Sequence, residues 1–276
     1  MRVVVTRPQR DALRWVQALG AQGFDALALP LIEIHAVADN HALVAAWQAS
    51  GQFQAIMFVS AAAVDHFFAA RPAGFSLELQ PDAPRFWATG PGTVAALLRH
   101  GTTLQRIDAP APDHGQFDSE ALWRLVGGQV RPRWQVMLVR GADHDPGTAT
   151  AEPAQDRAED PRDAQGHGRD WLAAQLVQAG AQVRYVVAYW RTGPGAQVIL
   201  QSLQDHRIGE DAVWLFTSGQ AVAHLRNSLP LRDWSRARAI ASHARIAAAA
   251  RAAGFGVVRE SRPALADMVA SIKSLQ

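Results

Sequence analysis

Short apolar runs alternate with amphipathic stretches along the chain. Val3-Val4-Val5 and Val136-Met137-Leu138-Val139 are β-branched or aliphatic runs, and each soon meets an arginine, Arg7 (after Thr6) and Arg140. Runs of that length and make-up predict buried strands entering loops. Behind each lies a helical stripe, Leu13, Val16, Leu19 in one case and Leu172, Leu176, Ala179 in the other. Both stripes run to a glycine, Gly23 and Gly180, the residue type that most readily ends a helix. A second pair of segments, 55–64 and 213–222, reads as a strand followed by a serine, Ser60 or Ser218, where a helix should start. A third pair, 85–97 and 239–249, reads as a short strand, a small polar turn and an alanine-rich helix that ends before Gly101 or Gly254.

The three pairs occur in the same order, so the chain reads as two related halves. Strand, turn and helix alternate in both, the pattern of parallel sheets covered by helices on each face. The expected fold class is therefore α/β, with two related domains. In such sheets ligands sit at the carboxyl ends of the strands, where the Thr, Ser and Gly turns fall. One segment departs from the repeat. The stretch 142–167 fills the second half where the first has only a short turn. It is rich in Pro, Gly, Asp and Ala and has no Leu, Ile, Val or aromatic residue. It cannot bury enough apolar area to offset its ordering entropy, so a mobile surface loop is expected. Asp143-His144-Asp145 inside it reads as a solvated charge run, because a metal site needs ligands held in place.

Composition narrows the function. Of 276 residues 49% are apolar and 19% charged, enough to build a sizeable core. Cysteine is absent, which excludes disulfides, thiolate metal sites and a cysteine nucleophile. The formal net charge is only +2, which speaks against nucleic acid as a partner. Nearly all the positive charge is arginine, with Lys273 the single lysine. Arginine forks onto carboxylates in a way lysine does not, but a compositional bias shared with the many alanines is the better account of the surplus. No stretch approaches the roughly 18 apolar residues of a membrane span, and the start lacks a signal-peptide core. A cytoplasmic protein without membrane contact is expected.

Nucleotide-binding glycine patterns are missing; Gly90-Pro91-Gly92 comes nearest, but the proline removes an amide donor. No HExxH, CxxC or GxSxG occurs, and no cofactor or metal is expected. What remains is a set of hydroxyls at predicted helix starts: Thr6, Ser60, Thr89 with Thr93, Thr217 with Ser218 (followed by Gly219), and Ser242. Exposed amides and the helix dipole favour anions there. With Arg7 and Arg140 closing the two related strands, two such sets suit a polyanionic ligand. Each hydroxyl taken alone reads equally well as a plain helix cap.

These residues resemble a known family. The stretches VVVTRP (3–8), LPLIEI (29–34), MFVSAAAV (57–64), WATGPGTVAAL (87–97), FDSEALW (117–123), MLVRG (137–141), GRDWLAAQLVQAGAQV (168–183), VVAYWR (186–191), LFTSGQAV (215–222) and IASHARIAAAARAAGF (240–255) are, in order and spacing, similar to uroporphyrinogen-III synthases. The resemblance implies two α/β domains joined by a two-stranded linker near 33–38 and 187–192, with a ligand cleft between them. It implies a discontinuous first domain, 1–34 plus 192–276, and an inserted second domain, 37–188. It implies closure of the small molecule hydroxymethylbilane into uroporphyrinogen III by a monomer, without metal or cofactor. Tyr189 aligns with the family's cleft tyrosine, implied to help the hydroxyl leave. Thr93, Ser60 and Ser218 align with ligand-contacting turns, and Arg7 with the arginine of the TRP start. Where some relatives have Gly-Pro-Thr before the last of these helices, this chain has Ala241-Ser242-His243. Ser242 can still cap; His243 either lines the cleft or crowns the helix. The alternative reading is a non-catalytic tetrapyrrole-binding regulatory module of the same fold; some relatives fuse it to a DNA-binding domain, for which this chain shows no segment.

Overall fold

The computed structural model describes residues 1–75, 83–111, 119–143 and 169–275. In chain order it begins with β1 (Arg2–Val5), α1 (Gln9–Ala21), β2 (Asp25–Ala28), β3 (Glu33–Ala36) and α2 (His41–Gln48). There follow β4 (Ala55–Phe58), α3 (Ala61–Ala69), β5 (Arg85–Ala88), α4 (Pro91–Arg99) and β6 (Ile107–Asp108). Next come α5 (Ser119–Val126), β7 (Gln135–Ala142), α6 (Arg169–Gln178) and the long β8 (Gln182–Thr192). The chain continues with α7 (Ala196–Asp205), β9 (Val213–Phe216), α8 (Gly219–Ser228), β10 (Arg238–Ala241), α9 (Ala244–Ala252), β11 (Val257–Glu260) and α10 (Leu265–Lys273). The chain divides into two compact units, Met1–Ile34 with Thr192–Gln276, and His35–Arg191.

The first unit holds a sheet in the order β11-β10-β9-β1-β2, with parallel neighbours throughout. Alternation along each strand sends successive side chains to opposite faces. Val3, Val5, Leu215 and Ile240 pack with α1 and α10 on one face. Val4, Trp214, Phe216 and Ala239 pack with α7, α8 and α9 on the other. Both faces are covered by helices, so these strands read as unbroken apolar runs.

The second unit holds a sheet in the order β3-β8-β7-β4-β5-β6, parallel from β8 through β6. Ala55, Met57, Trp87 and Leu138 meet α5 and α6 on one face. Ile56, Phe58 and Phe86 point to the other, where Trp47 stacks on Phe67 at 4.6 Å and donates its indole N–H to the Phe67 carbonyl at 2.7 Å. The α/β class with parallel, helix-covered sheets is the observed one.

The glycine stops recur in detail. After α1 and α6, Gly23 (φ +82°) and Gly180 (φ +83°) turn left-handed, and the next amide donates to the carbonyl five residues back, Phe24 to Leu19 and Ala181 to Leu176. The same closure after α7 carries Arg207 at φ +48°, a conformation that costs a residue with a Cβ.

Three expectations need correction. Leu13 is 49% exposed, and the core face of α1 is instead Ala12, Val16 and Leu19; with α1 starting at Gln9, Leu13 is rotated out of the stripe. Ser242 does not cap α9. His243 does, its Nδ1 accepting from the Arg245 amide at 3.1 Å. Ala142, expected as the first residue of the loop stretch, closes β7, and Asp143 after it pairs with Arg191 at 2.8 Å. Residues 144–167 of that stretch, with His144 and Asp145, lie outside the described residues.

Candidate functional site

Because β1, β2 and β9–β11 in the first sheet and β4–β8 in the second run parallel, the carboxyl ends of each set lie along one edge. In the first unit that edge carries Thr6 and Arg7 after β1, Thr217, Ser218 and Gly219 after β9, and Ser242 and His243 after β10, on three adjacent strands. In the second it carries Ser60 after β4, Thr89 and Gly90 after β5, Arg140 and Gly141 on β7, and Tyr189 on β8, on four adjacent strands. The expected residues thus gather as one set within each unit.

Within the first set the roles differ. Thr6 is buried and its Oγ1 donates to the Leu215 carbonyl at 2.7 Å, tying β1 to β9. Ser218 caps α8, accepting from the Gln220 amide at 3.2 Å. The Arg7 guanidinium lies 4.3 Å over the Trp15 ring. Burial pushes its pKa below the ordinary range, Asp11 offsets part of the shift and Arg14 adds to it. An arginine so placed stays protonated at neutral pH, and its partly desolvated charge is disposed toward an anion.

The second set is more closely knit. Tyr189 is 3% exposed, and its Oη lies 3.1 Å from Ser60 Oγ. Ser60 also caps α3, accepting from the Ala63 amide at 3.1 Å. The Tyr189 ring lies alongside the His66 imidazole, with centroids 5.7 Å apart and planes 24° apart. Gly90 starts α4 with Pro91 behind it, and Thr93 is buried in its first turn. Arg140 sits 4.6 Å over the Tyr185 ring. Arg191, two residues beyond Tyr189, is held by Asp143. The first-turn amides of α3 and α4 open at this edge, as helix starts do. The ensemble offers a phenol, hydroxyls, amides and a guanidinium: hydrogen-bond donors for a carboxylate-rich ligand.

Among the described residues no three His, Cys, Asp or Glu side chains gather as a metal would require. No described helix is long and apolar enough to cross a membrane.

Two residues of this region escaped the sequence reading. Gly141 lies directly under the Tyr189 ring, and the glycine ending MLVRG is its one trace. His66 has a counterpart in His224, since both follow their serine in the pattern Ser-x-x-x-Val-x-His. His224 donates from Nδ1 to the Leu31 carbonyl at 2.7 Å and packs on Gly193, so each unit sets this histidine against residues around 189–193. The repeated pattern was the available signal.

Over residues 14–149 and 164–270 the chain matches the family described as uroporphyrinogen-III synthase HemD. A mutant uroporphyrinogen III synthase from the extremely thermophilic bacterium Thermus thermophilus has a similar fold, with a TM-score of 0.56 at 16% identity over 100% of this chain and 98% of that one. Uroporphyrinogen-III synthetase from Helicobacter pylori is similar too, with a TM-score of 0.55 at 15% identity over the full length of both. A comparison with curated proteins by sequence returned no match. At such identities the structural likeness speaks for the fold.

Proposed function

The chain belongs to the uroporphyrinogen-III synthase family, and from that premise we propose that it closes hydroxymethylbilane to uroporphyrinogen III, with loss of water and inversion of ring D. The observation that carries this reading is the buried Tyr189 phenol, hydrogen-bonded to Ser60 at the carboxyl ends of β4, β7 and β8.

The chemistry asks for few strong groups. The hydroxymethyl C–O bond breaks and the hydroxyl takes a proton to leave as water. The phenol of Tyr189 is placed to give that proton as a general acid. The resulting azafulvene cation is attacked by ring D at its substituted carbon, giving a spiro intermediate. That intermediate reopens and recloses with ring D inverted, and the final loss of a ring proton returns one to the phenolate. Dehydration is thus proton-neutral overall. Selecting the inverted product needs orientation and exclusion of water from the cation. The hydroxyls of Ser60, Thr89, Thr217, Ser218 and Ser242, the Gly90 and Gly219 amides, and His243 are the proposed contacts, with Arg7 and Arg140 for the carboxylates. Thr6 and Thr93 are buried, and the Thr6 hydroxyl donates to the Leu215 carbonyl, so these two are proposed to shape their turns. The enzyme is read as a cytoplasmic monomer acting on a free small molecule, in two domains divided near 34 and 192, with no metal or cofactor.

Purified protein is given hydroxymethylbilane, and the products are oxidised and separated as isomers III and I. Isomer III in excess supports the proposal. Isomer I at the spontaneous rate, with the chain binding tetrapyrrole, makes it a non-catalytic binding module instead.

A further inference from the structure

The pairing of β7 with β8 contains one irregularity, and it falls at Tyr189. Arg140 pairs with Val187 and Gly141 with Tyr189, so Ala188 is an extra residue on β8. A bulge of this kind re-aims the side chains that follow it. Here it puts Tyr189 on the same rung as Gly141. Paired residues on neighbouring strands project to the same face, so the Tyr189 ring occupies the space above the glycine.

A Cβ on Gly141 would lie 2.5 Å from Cε2 and Cζ of that ring and 2.9 Å from Oη. Gly141 is not among the glycines with positive φ. Its backbone therefore does not demand glycine; the tyrosine does. With the ring against the bare strand, Oη reaches Ser60 Oγ at 3.1 Å. Ser60 is itself fixed by the Ala63 amide at the start of α3. The phenol is thereby located in two ways, the ring by the absent side chain of Gly141 and the hydroxyl by Ser60.

We propose that Gly141 is a positioning residue for the Tyr189 phenol, with Ser60 as the hydrogen-bond partner that fixes its oxygen, a role that presupposes the phenol's part in dehydration. Ordinary carbon contacts lie near 3.5–4.0 Å, so a methyl at Gly141 pushes the ring by about 1 Å. A misplacement of that size costs on the order of 100-fold where a reacting group must be aligned.

The test reads position and rate separately. The chain has two tyrosines, Tyr185 and Tyr189. Protein labelled with 3-fluorotyrosine gives two fluorine resonances, assigned with Tyr185→Phe and Tyr189→Phe. Gly141→Ala is expected to move the Tyr189 line and leave the Tyr185 line in place. It is expected to lower kcat at least about tenfold with KM within about threefold. In a Tyr189→Phe background, with no hydroxyl left to aim, the same substitution should cost less than about threefold. Should Gly141→Ala fail to fold, Ser60 carries the test: Ser60→Ala lowers kcat more when Tyr189 is present than in the Tyr189→Phe background, and Ser60→Thr restores the difference. If Tyr189→Phe is slow but Gly141→Ala and Ser60→Ala turn over at the wild-type rate, or if their losses persist in full in the Tyr189→Phe background, the positioning role is wrong. If Tyr189→Phe itself keeps the wild-type rate, the phenol's part in dehydration falls instead, while the fluorine shift still reports the contact.

Discussion

Replacing Tyr189 by Phe removes one oxygen and little else. The ring stays over Gly141 and beside His66, and only the 3.1 Å hydrogen bond to Ser60 is lost. Ser60 keeps its bond from the Ala63 amide, so its oxygen is not orphaned. The net worth of such a bond is about 0.5–1.5 kcal/mol. At roughly 2–4 °C per kcal/mol for a chain somewhat shorter than this one, melting should fall by no more than about 6 °C. The rate should respond far more. A positioned general acid contributes on the order of 100- to 10,000-fold, but the hydroxymethyl group leaves readily unaided, so we expect a loss of about 10- to 1000-fold. That corresponds to about 1.4–4 kcal/mol of barrier. The assay follows isomer III and isomer I from hydroxymethylbilane under conditions where spontaneous closure is measured in parallel. As the enzyme slows, isomer I from solution should make up a growing share. Tyr185→Phe is the control. Tyr185 is 41% exposed, and phenylalanine keeps the ring under the Arg140 guanidinium, so rate and melting should both stay near wild type. A Tyr189→Phe enzyme that turns over normally would refute the proton-donor role and leave substrate shaping as the whole of catalysis.

The other expectations concern stability and tolerance. Arg207→Gly should stabilise the protein by about 0.5–1 kcal/mol in chemical denaturation, because glycine adopts the left-handed turn after α7 without the cost of a Cβ; unchanged or lower stability would show that the Arg207 side chain contributes more than its backbone costs. His243→Ala should destabilise by about 1 kcal/mol through loss of the α9 cap, while Ser242→Ala should be near neutral in melting; the reverse order would return the cap to Ser242. Asp233 accepts from the Ser235 amide at 2.8 Å, which holds its carboxyl below the ordinary pKa. Its contribution to stability is therefore complete above the unfolded carboxylate value and fades as pH falls through the folded one, and a carboxyl resonance titrating at or above the ordinary value would contradict this. Replacing residues 144–167 by a short glycine-rich turn should keep at least about a tenth of the activity, given how little apolar area that stretch can bury. Extending the replacement to Asp143 should cost more, through Arg191, and equal outcomes would show that this ion pair is idle. Protein dialysed against a chelator should retain full turnover, and activity restored only by added divalent metal would overturn the mechanism.

What the sequence by itself determined is whatever depends on neighbours along the chain. Val3-Val4-Val5 is apolar on both faces of a strand, Ser60 and Ser218 precede helices they can cap, and Gly23 and Gly180 close helices in a turn that a Cβ disfavours. Each follows from steric and hydrogen-bonding preferences within a few residues, so the alternation of strand, turn and helix was legible, and with it the edge where hydroxyls collect. Local rules left the choice open where two neighbours compete, as at Ser242 and His243, either of which can accept an amide hydrogen. Tertiary structure alone decided which of these residues meet. Ser60 follows β4 and Tyr189 lies on β8, strands far apart in the chain that β7 joins into one sheet. The identity of residue 141 has no local reason, since its backbone admits any side chain; it is set by a ring carried on the neighbouring strand and brought to its rung by one extra residue in β8. Steric exclusion of that kind acts across the sheet, between residues whose adjacency exists only once the strands have paired.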